Sequence, residues 1–228
     1  MHGRVGFRAR RRAPGALGLL YLIGNGHAYY LASLYPTLLG LGAVPTADWV
    51  RRGRGRGRLL AAAIVLSGAV SSLIALPVLP ERDLQGSVVM ALNDAQGEMV
   101  GWPQFIGTVS GAWRRIPAAQ RARTAIFTAN YGEAGAIDLL RSDPRLPRAY
   151  SGHNGFSEWG VPPAGDRHAL VVGFDGPAAA APEFDRCETL AVVHNGVGLD
   201  NQEQGLPVML CSPTAPWRVL WPRLRHYD

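Results

Sequence analysis

The chain has 228 residues, 47% of them hydrophobic, and a formal net charge of +6. The charge is unevenly distributed, because residues 1–80 hold ten Arg and one Asp (net +9) whereas residues 81–228 hold thirteen Arg and sixteen acidic residues (net −3). The basic excess therefore belongs to the N-terminal part and excludes a globally basic surface of the kind that binds nucleic acid.

Two uncharged apolar stretches in the first 80 residues predict a membrane α-helical segment. Residues 59–79 carry no charge, and as a helix they would be about 32 Å long, enough for a hydrocarbon core of about 30 Å. A second span is predicted at about 28–45, with Tyr29, Tyr30 and Trp49 near its ends, where an aromatic belt would lie. Residues 14–24 are too short to span comfortably and fit either a shortened third pass or the apolar part of a secretory signal. We therefore expect two clear transmembrane helices, with this third candidate, over 1–80; buried helices of a soluble protein are the disfavoured alternative.

The linker between the two predicted spans carries five Arg within residues 51–58. The positive-inside rule places such a loop in the cytoplasm, so residues 81–228 would lie outside the cytoplasm. An Arg-Gly run could also bind nucleic acid, but its position between apolar spans, without interleaved aromatic residues, favours a topology signal. We expect a multi-pass cell-membrane protein with an extracytoplasmic C-terminal domain and no nucleic-acid partner.

Residues 81–228 alternate between strand-like and helix-like patterns, which predicts an α/β extracytoplasmic domain. Apolar residues have helical spacing over 103–116, and TAIFT at 124–128 is a strand candidate followed by a turn and a helix at about 133–140. Further strands are predicted at 169–173, 189–193 and 207–211. Residues 124–151 resemble one βαβ unit of a parallel sheet.

The only two cysteines, Cys187 and Cys211, both lie in this domain. Outside the cytoplasm such a pair is more often a disulfide than two buried thiols, which is the alternative. No CxxC or Cys/His ligand spacing is present, so we expect no metal site and no cofactor.

Two loops of the α/β domain carry polar side chains suited to binding a sugar. The candidate substrate-binding residues are Asn130, Tyr131 and Glu133 in the first loop, and His153, Asn154, Glu158 and Trp159 in the second. Both loops should follow strands of one sheet, where ligands of open α/β sheets gather, and Trp159 would offer an apolar platform for a sugar ring. Structural turns and packing are the alternative for both loops. A Ser/His/Glu hydrolase arrangement in the second loop matches no nucleophile elbow.

Several ordered motifs resemble bacterial members of glycosyltransferase family 39, which are related to protein O-mannosyltransferases and to the aminoarabinose transferases of lipid A. The motifs are GHAYYL at 26–31 with LYP at 34–36, NYGEAGA at 130–136, YSGHN at 150–154, WG at 159–160 and DNQEQG at 200–205. The resemblance implies transfer of a sugar from a polyprenyl-phosphate donor to an acceptor on the extracytoplasmic side. It adds His27, Tyr29 and Tyr30 as substrate-binding residues, although relatives commonly carry Lys where this chain has His27.

The resemblance places the catalytic acidic residues in a first extracytoplasmic loop near the N-terminus of the full enzyme. Residues 1–12 contain no Asp or Glu, so no catalytic residue is carried over to this chain. We therefore expect the C-terminal part of a membrane glycosyltransferase, inactive alone, with membrane lipid, polyprenyl-phosphate sugar and a separate N-terminal catalytic half as partners. The alternative is a membrane-tethered extracytoplasmic module that binds carbohydrate or another ligand without catalysis.

Overall fold

The computed structural model describes residues 33–141 and 143–227. The chain divides into two compact units, Met1–Ser71 and Ser72–Asp228, which are treated separately below. His27, Tyr29, Tyr30, the candidate pass at 14–24 and the first part of the predicted span at 28–45 lie outside the described residues.

The described part of the first unit is helical. Helix α1 is Tyr35–Arg51. It has a proline in its first turn, where backbone N–H groups have no partner within the helix, so the missing N–H of proline costs no hydrogen bond. Helix α2 is Arg54–Ala75 and begins after a two-residue break. Neither helix buries any of its residues. The apolar side chains of both helices are therefore not packed into a protein core. Such surfaces are normally covered by lipid or by another protein segment.

The prediction of two clear transmembrane helices is wrong. Within residues 33–141 and 143–227, only α2 is long and apolar enough to cross a membrane. Helix α1 does not coincide with the predicted span, because it begins at Tyr35, contains Pro45 and continues through Asp48 to Arg51. Residues 35–45, the helical part inside that span, would measure only about 16 Å, roughly half of a hydrocarbon core. Over its described part, residues 33–45, the predicted span therefore does not form one apolar helix of spanning length.

The second unit is an α/β domain built on a mixed five-stranded sheet. Its helices and strands in chain order are α3 (Val88–Leu92), α4 (Trp102–Arg115), α5 (Ala118–Arg121), β1 (Thr124–Thr128), α6 (Tyr131–Leu140), β2 (Ala149–Ser151), β3 (His168–Val172), α7 (Pro177–Ala180), β4 (Phe184–Val192), β5 (Pro207–Pro213) and α8 (Trp217–Leu224). Short 3-10 helices lie at Glu81–Asp83, Asp94–Met99 and Asn154–Trp159. The strand order is β2-β1-β3-β5-β4, with β2, β1 and β3 parallel and β5 and β4 antiparallel to their neighbours.

Each face of the sheet is covered by helices, which gives three layers. On one face α4 and α6 pack against alternate strand residues such as Ile126 and Leu170. On the other face α8 packs against Phe127 and Val171, the residues that point the opposite way. This alternation follows from the two-residue period of a strand and explains why both faces of the central strands β1 and β3 are buried.

Cys187 and Cys211 are joined by a disulfide between β4 and β5. Cys211 is buried in the core on the α8 face, and Cys187 packs partly buried against the same core. Strand β4 lies at one edge of the sheet, beside β5, and the disulfide adds a covalent link between these two strands.

Candidate functional site

The carboxyl ends of β1, β2 and β3 lie at one edge of the sheet, because these three strands are parallel. From β1 the chain passes through α6 to β2 on one side, and then crosses to β3 on the other side of β1. Such a reversal opens a crevice beyond the strand ends, where ligands of open α/β sheets bind. The crevice between the ends of β1 and β3 is therefore the place to look for a site.

Glu133 lies at this crevice, in the first turn of α6. Asn130 is the residue that caps α6: its side-chain oxygen accepts the Glu133 N–H at 2.9 Å, and Glu133 Oε2 accepts the Asn130 N–H at 3.1 Å. This reciprocal pair is a capping box, which fixes the start of the helix. The Glu133 side chain is completely buried, and its other oxygen, Oε1, has no hydrogen-bond partner within the described residues. A buried carboxylate oxygen without a partner carries a desolvation cost that a ligand would relieve.

Gly173, directly after β3, closes over the Glu133 carboxyl. A Cβ atom built at Gly173 would lie 2.2 Å from Oε2 and 2.4 Å from Oε1 of Glu133. The backbone at Gly173 also has φ of +87°, a region that side-chain-bearing residues rarely adopt. Only glycine can therefore bring the β3 end this close to the carboxyl.

The loop between β4 and β5 brings two further polar residues to the site. The Gln202 N–H donates to both carboxylate oxygens of Glu98 at 3.2 Å, and Gln202 Oε1 accepts from Asn130 Nδ2 at 3.3 Å. Glu203 is 94% buried and near enough to Glu98 to form a carboxyl–carboxyl hydrogen bond. Three glutamates from distant parts of the sequence therefore surround one polar region, which we call the glutamate site: Glu98, Glu133 and Glu203.

Burial raises the pKa of two of these carboxyls to about 7. For Glu133 burial is the main cause and the nearby Glu203 charge adds to it, whereas hydrogen bonds from the Asn130 and Ala129 backbone act in the opposite direction. For Glu203 burial is again the main cause, followed by repulsion from Glu98 and the hydrogen bond to it. None of the three glutamates forms an ion pair within the part of the chain that the structure describes. Because their pKa values are about 7, the Glu133 and Glu203 carboxyls can either donate or accept a hydrogen bond near neutral pH.

Aromatic rings border the glutamate site. Tyr131, 52% exposed, lies with its ring 4.9 Å from the ring of His153, which stacks at 4.6 Å on His226 near the C-terminus. On the opposite side, Trp102 donates its indole N–H to the Glu98 backbone oxygen at 3.0 Å. A half-exposed aromatic ring beside polar groups is the arrangement that binds a sugar, whose ring has one apolar face and a hydroxylated rim.

The structure brings together Asn130, Tyr131, Glu133 and His153 from the predicted set. The other three lie along the 3-10 helix Asn154–Trp159. Glu158 forms an ion pair with Arg225 on the surface. Trp159 is 64% exposed and packs its ring at 4.6 Å on Phe156. The Asn154 backbone N–H donates to the His226 oxygen at 2.8 Å. Glu158 and Trp159 are thus exposed and Asn154 is half-buried, whereas the buried part of the site is formed by other residues.

The sequence did not single out Glu98, Gly173 or His226, and it placed Gln202 and Glu203 only within the DNQEQG motif at 200–205, without a binding role. No spacing rule links that motif to Glu98 or Glu133. Asn130 and Gln202 are 72 positions apart, and Glu98 and Gln202 are 104 apart. Only the fold brings them into contact.

Within the described ranges, no cluster of three or more His, Cys, Asp or Glu side chains could hold a metal ion. No protein-family model matches this chain, and comparisons with curated proteins and with solved structures find no significant match.

Proposed function

We propose that the chain is the C-terminal, substrate-binding part of a membrane glycosyltransferase that uses a polyprenyl-phosphate sugar, and that the glutamate site binds hydroxyl groups of the sugar or the acceptor. The observation that carries the proposal is the buried Glu133 carboxyl beside the ends of β1 and β3, one oxygen of which has no hydrogen-bond partner among the described residues. The resemblance to glycosyltransferase family 39 supplies the donor class, and it includes the NYGEAGA and DNQEQG motifs that provide Glu133, Gln202 and Glu203.

The chemistry of the site suits a ligand rich in hydroxyl groups. Glu133 and Glu203, with pKa values of about 7, offer both acceptors and donors, and the amides of Asn130 and Gln202 add one of each at the surface. The Tyr131 ring offers an apolar face beside them. Alternating hydroxyl and C–H groups of a sugar match this combination of polar groups and an aromatic surface.

Membrane attachment is proposed through α2 alone among the described helices. None of its residues is buried, and the five Arg at and just before its N-terminal end favour the cytoplasmic side for that end. An extracytoplasmic location of the α/β domain is supported by the Cys187–Cys211 disulfide, because disulfides persist in oxidising compartments.

The test uses the full chain purified in nonionic detergent. Binding of polyprenyl-phosphate mannose and polyprenyl-phosphate glucose is measured by intrinsic tryptophan fluorescence, and sugar transfer is assayed with and without a co-expressed N-terminal half from a relative. We expect binding by the chain, transfer only by the pair, and a loss of at least about tenfold in affinity for Glu203→Gln combined with Gln202→Ala. The control is Glu188→Gln, an exposed carboxylate on β4. Unchanged affinity in the double variant, with both variants folded, would refute the proposed surface.

The second candidate function is a membrane-tethered binding module without catalysis. It rests on the same glutamate site, whose carboxyls would hold a ligand by hydrogen bonds without reacting with it. The same experiment separates the two functions: sugar binding with no transfer by any complemented pair would support the module, and transfer by the pair would support the glycosyltransferase.

A further inference from the structure

The arginine segment, which runs from the last residue of α1 into the first turns of α2, presents far more positive charge than the first unit can neutralise. It comprises Arg51, Arg52, Arg54, Arg56 and Arg58. Asp48 is the only acidic residue between 33 and 75, and it pairs with Arg51. Arg56 instead places its guanidinium 5.5 Å from the centre of the Trp49 ring and donates to the Trp49 backbone oxygen at 3.2 Å.

The remaining three guanidinium groups, those of Arg52, Arg54 and Arg58, are exposed and form no ion pair within the described residues. The first turn of α2 contains no acidic residue that would offset them. Because the N-terminal end of a helix is itself partly positive, the helix adds to this field and does not reduce it.

The apolar surface of α2 begins directly after the last of these arginines. Residues 59–75 are uncharged and none of them is buried, so the charge lies at one end of the helix proposed to enter the bilayer. Arginines at that position meet the phosphates of the headgroup layer, and Trp49 has the amphipathic ring typical of the same layer. A guanidinium group forms paired hydrogen bonds to a phosphate, which an isolated positive charge does not.

We propose that the arginine segment binds the headgroups of anionic phospholipids. Charge complementarity and continuity with the apolar helix favour this partner over nucleic acid, because nucleic-acid binding would leave the adjoining apolar surface uncovered. The proposal goes beyond sugar binding and rests on the proposed membrane attachment by α2. It assigns the segment a ligand, in addition to its effect on topology.

The test measures lipid binding by the full chain in nonionic detergent. The probes are dihexanoyl phosphatidylglycerol, dihexanoyl phosphatidylcholine, inorganic phosphate and a twelve-residue oligouridylate. We expect the anionic lipid to bind at least about tenfold more tightly than the zwitterionic lipid at low salt, and this preference to weaken as salt screens the charges. The cluster variant replaces four arginines with Gln, namely Arg52, Arg54, Arg56 and Arg58, and should lose the preference.

A matched control makes the same charge change in the second unit, at the four arginines Arg114, Arg121, Arg123 and Arg218, and should keep the preference. A third variant replaces the same four arginines of the segment with Lys, which preserves the charge, and it should retain most of the preference. Circular dichroism checks the helix content of all three variants. An unchanged preference in the cluster variant, equal affinity for inorganic phosphate, or tighter binding of oligouridylate would overturn the proposal. Membrane attachment is judged separately by alkaline carbonate extraction, so its failure is distinguishable from failure of lipid binding.

Discussion

The Glu133→Gln substitution removes the ionisation of the buried carboxyl at the glutamate site while nearly keeping its shape. The amide oxygen of Gln can accept the Asn130 N–H that Glu133 Oε2 accepts at 3.1 Å, so the capping box is preserved. At pH 5 the buried carboxyl is mostly protonated and resembles the amide in charge. The substitution therefore isolates the cost of ionising Glu133 in the folded chain as the pH rises.

The sign and size of the effect follow from the pKa of Glu133. Burial raises this pKa from an ordinary 4.5 to about 7, so the stabilising contribution of the protonated form is full below about pH 4.5 and is lost as the pH rises through about 7. Between pH 5 and pH 8 the free energy of unfolding of the wild type should fall by roughly 2 to 3 kcal/mol more than that of Glu133→Gln. The free energy of unfolding of the variant, relative to that of the wild type, should therefore be higher at pH 8 than at pH 5.

The assay is urea unfolding of the full chain in detergent at pH 5, 6, 7 and 8, followed by tryptophan fluorescence. Ionisable groups that do not interact with Glu133 contribute equally to both proteins and cancel in the difference. Repulsion between Glu133 and Glu203 occurs only in the wild type and adds to the difference with the same sign. Glu188→Gln, on the exposed edge of β4, should show the same pH dependence as the wild type. A wild-type-to-variant difference that changes by less than about 1 kcal/mol across this range would refute an ionisable, buried Glu133.

Three further predictions concern the same unit and its topology. Gly173→Ala should lower the free energy of unfolding, measured by urea titration, by about 3 kcal/mol. The added Cβ would collide with the buried Glu133 carboxyl, and the backbone at Gly173 has a positive φ that Ala rarely adopts. Gly165→Ala, with open space around it, should change the same free energy by less than about 1 kcal/mol. Replacing Cys187 and Cys211 with Ser should cost about 3 kcal/mol, and mass spectrometry of non-reduced, alkylated wild type should find linked peptides, not free thiols. In intact cells, Gly53→Cys should resist an impermeant thiol reagent and Gly165→Cys should react; the reverse labelling pattern would contradict the proposed orientation.

Local sequence patterns were sufficient for most elements of the α/β domain. The run TAIFT is β1 at Thr124–Thr128, and the helical spacing at 103–116 corresponds to α4 at Trp102–Arg115. Helix α6 begins earlier than predicted, at Tyr131, because Asn130 caps it. Strand β4 extends back to Phe184, beyond the predicted 189–193, because pairing with β5 holds polar residues that show little strand preference alone.

The candidate site was predictable only in its local half. Residues that follow β1 and β2 could be assigned to one sheet edge, since a parallel arrangement of strands follows from the βαβ pattern. Glu98 and Gln202 could not, because their positions depend on how two loops fold back over that edge. The Asn201 side chain fixes one of these contacts, because its Nδ2 donates to the backbone oxygens of Gly97 and Val100 at 3.1 and 3.0 Å. Such contacts at separations of about a hundred residues leave no periodic signal in the sequence.

The energetics of the glutamate site argue for a ligand and against a purely structural role. A capping box needs a hydrogen-bond acceptor at Glu133, and a neutral Gln would supply it without the cost of a buried charge. Burying Glu203 beside Glu98 adds a second such cost, and within the described residues no cation offsets either one. Both costs lower the stability of the domain near neutral pH. They arise beside the strand ends, where α/β domains bind ligands. Perturbed carboxyls gathered at such a position are typical of functional sites, where an incoming group supplies the missing hydrogen bonds.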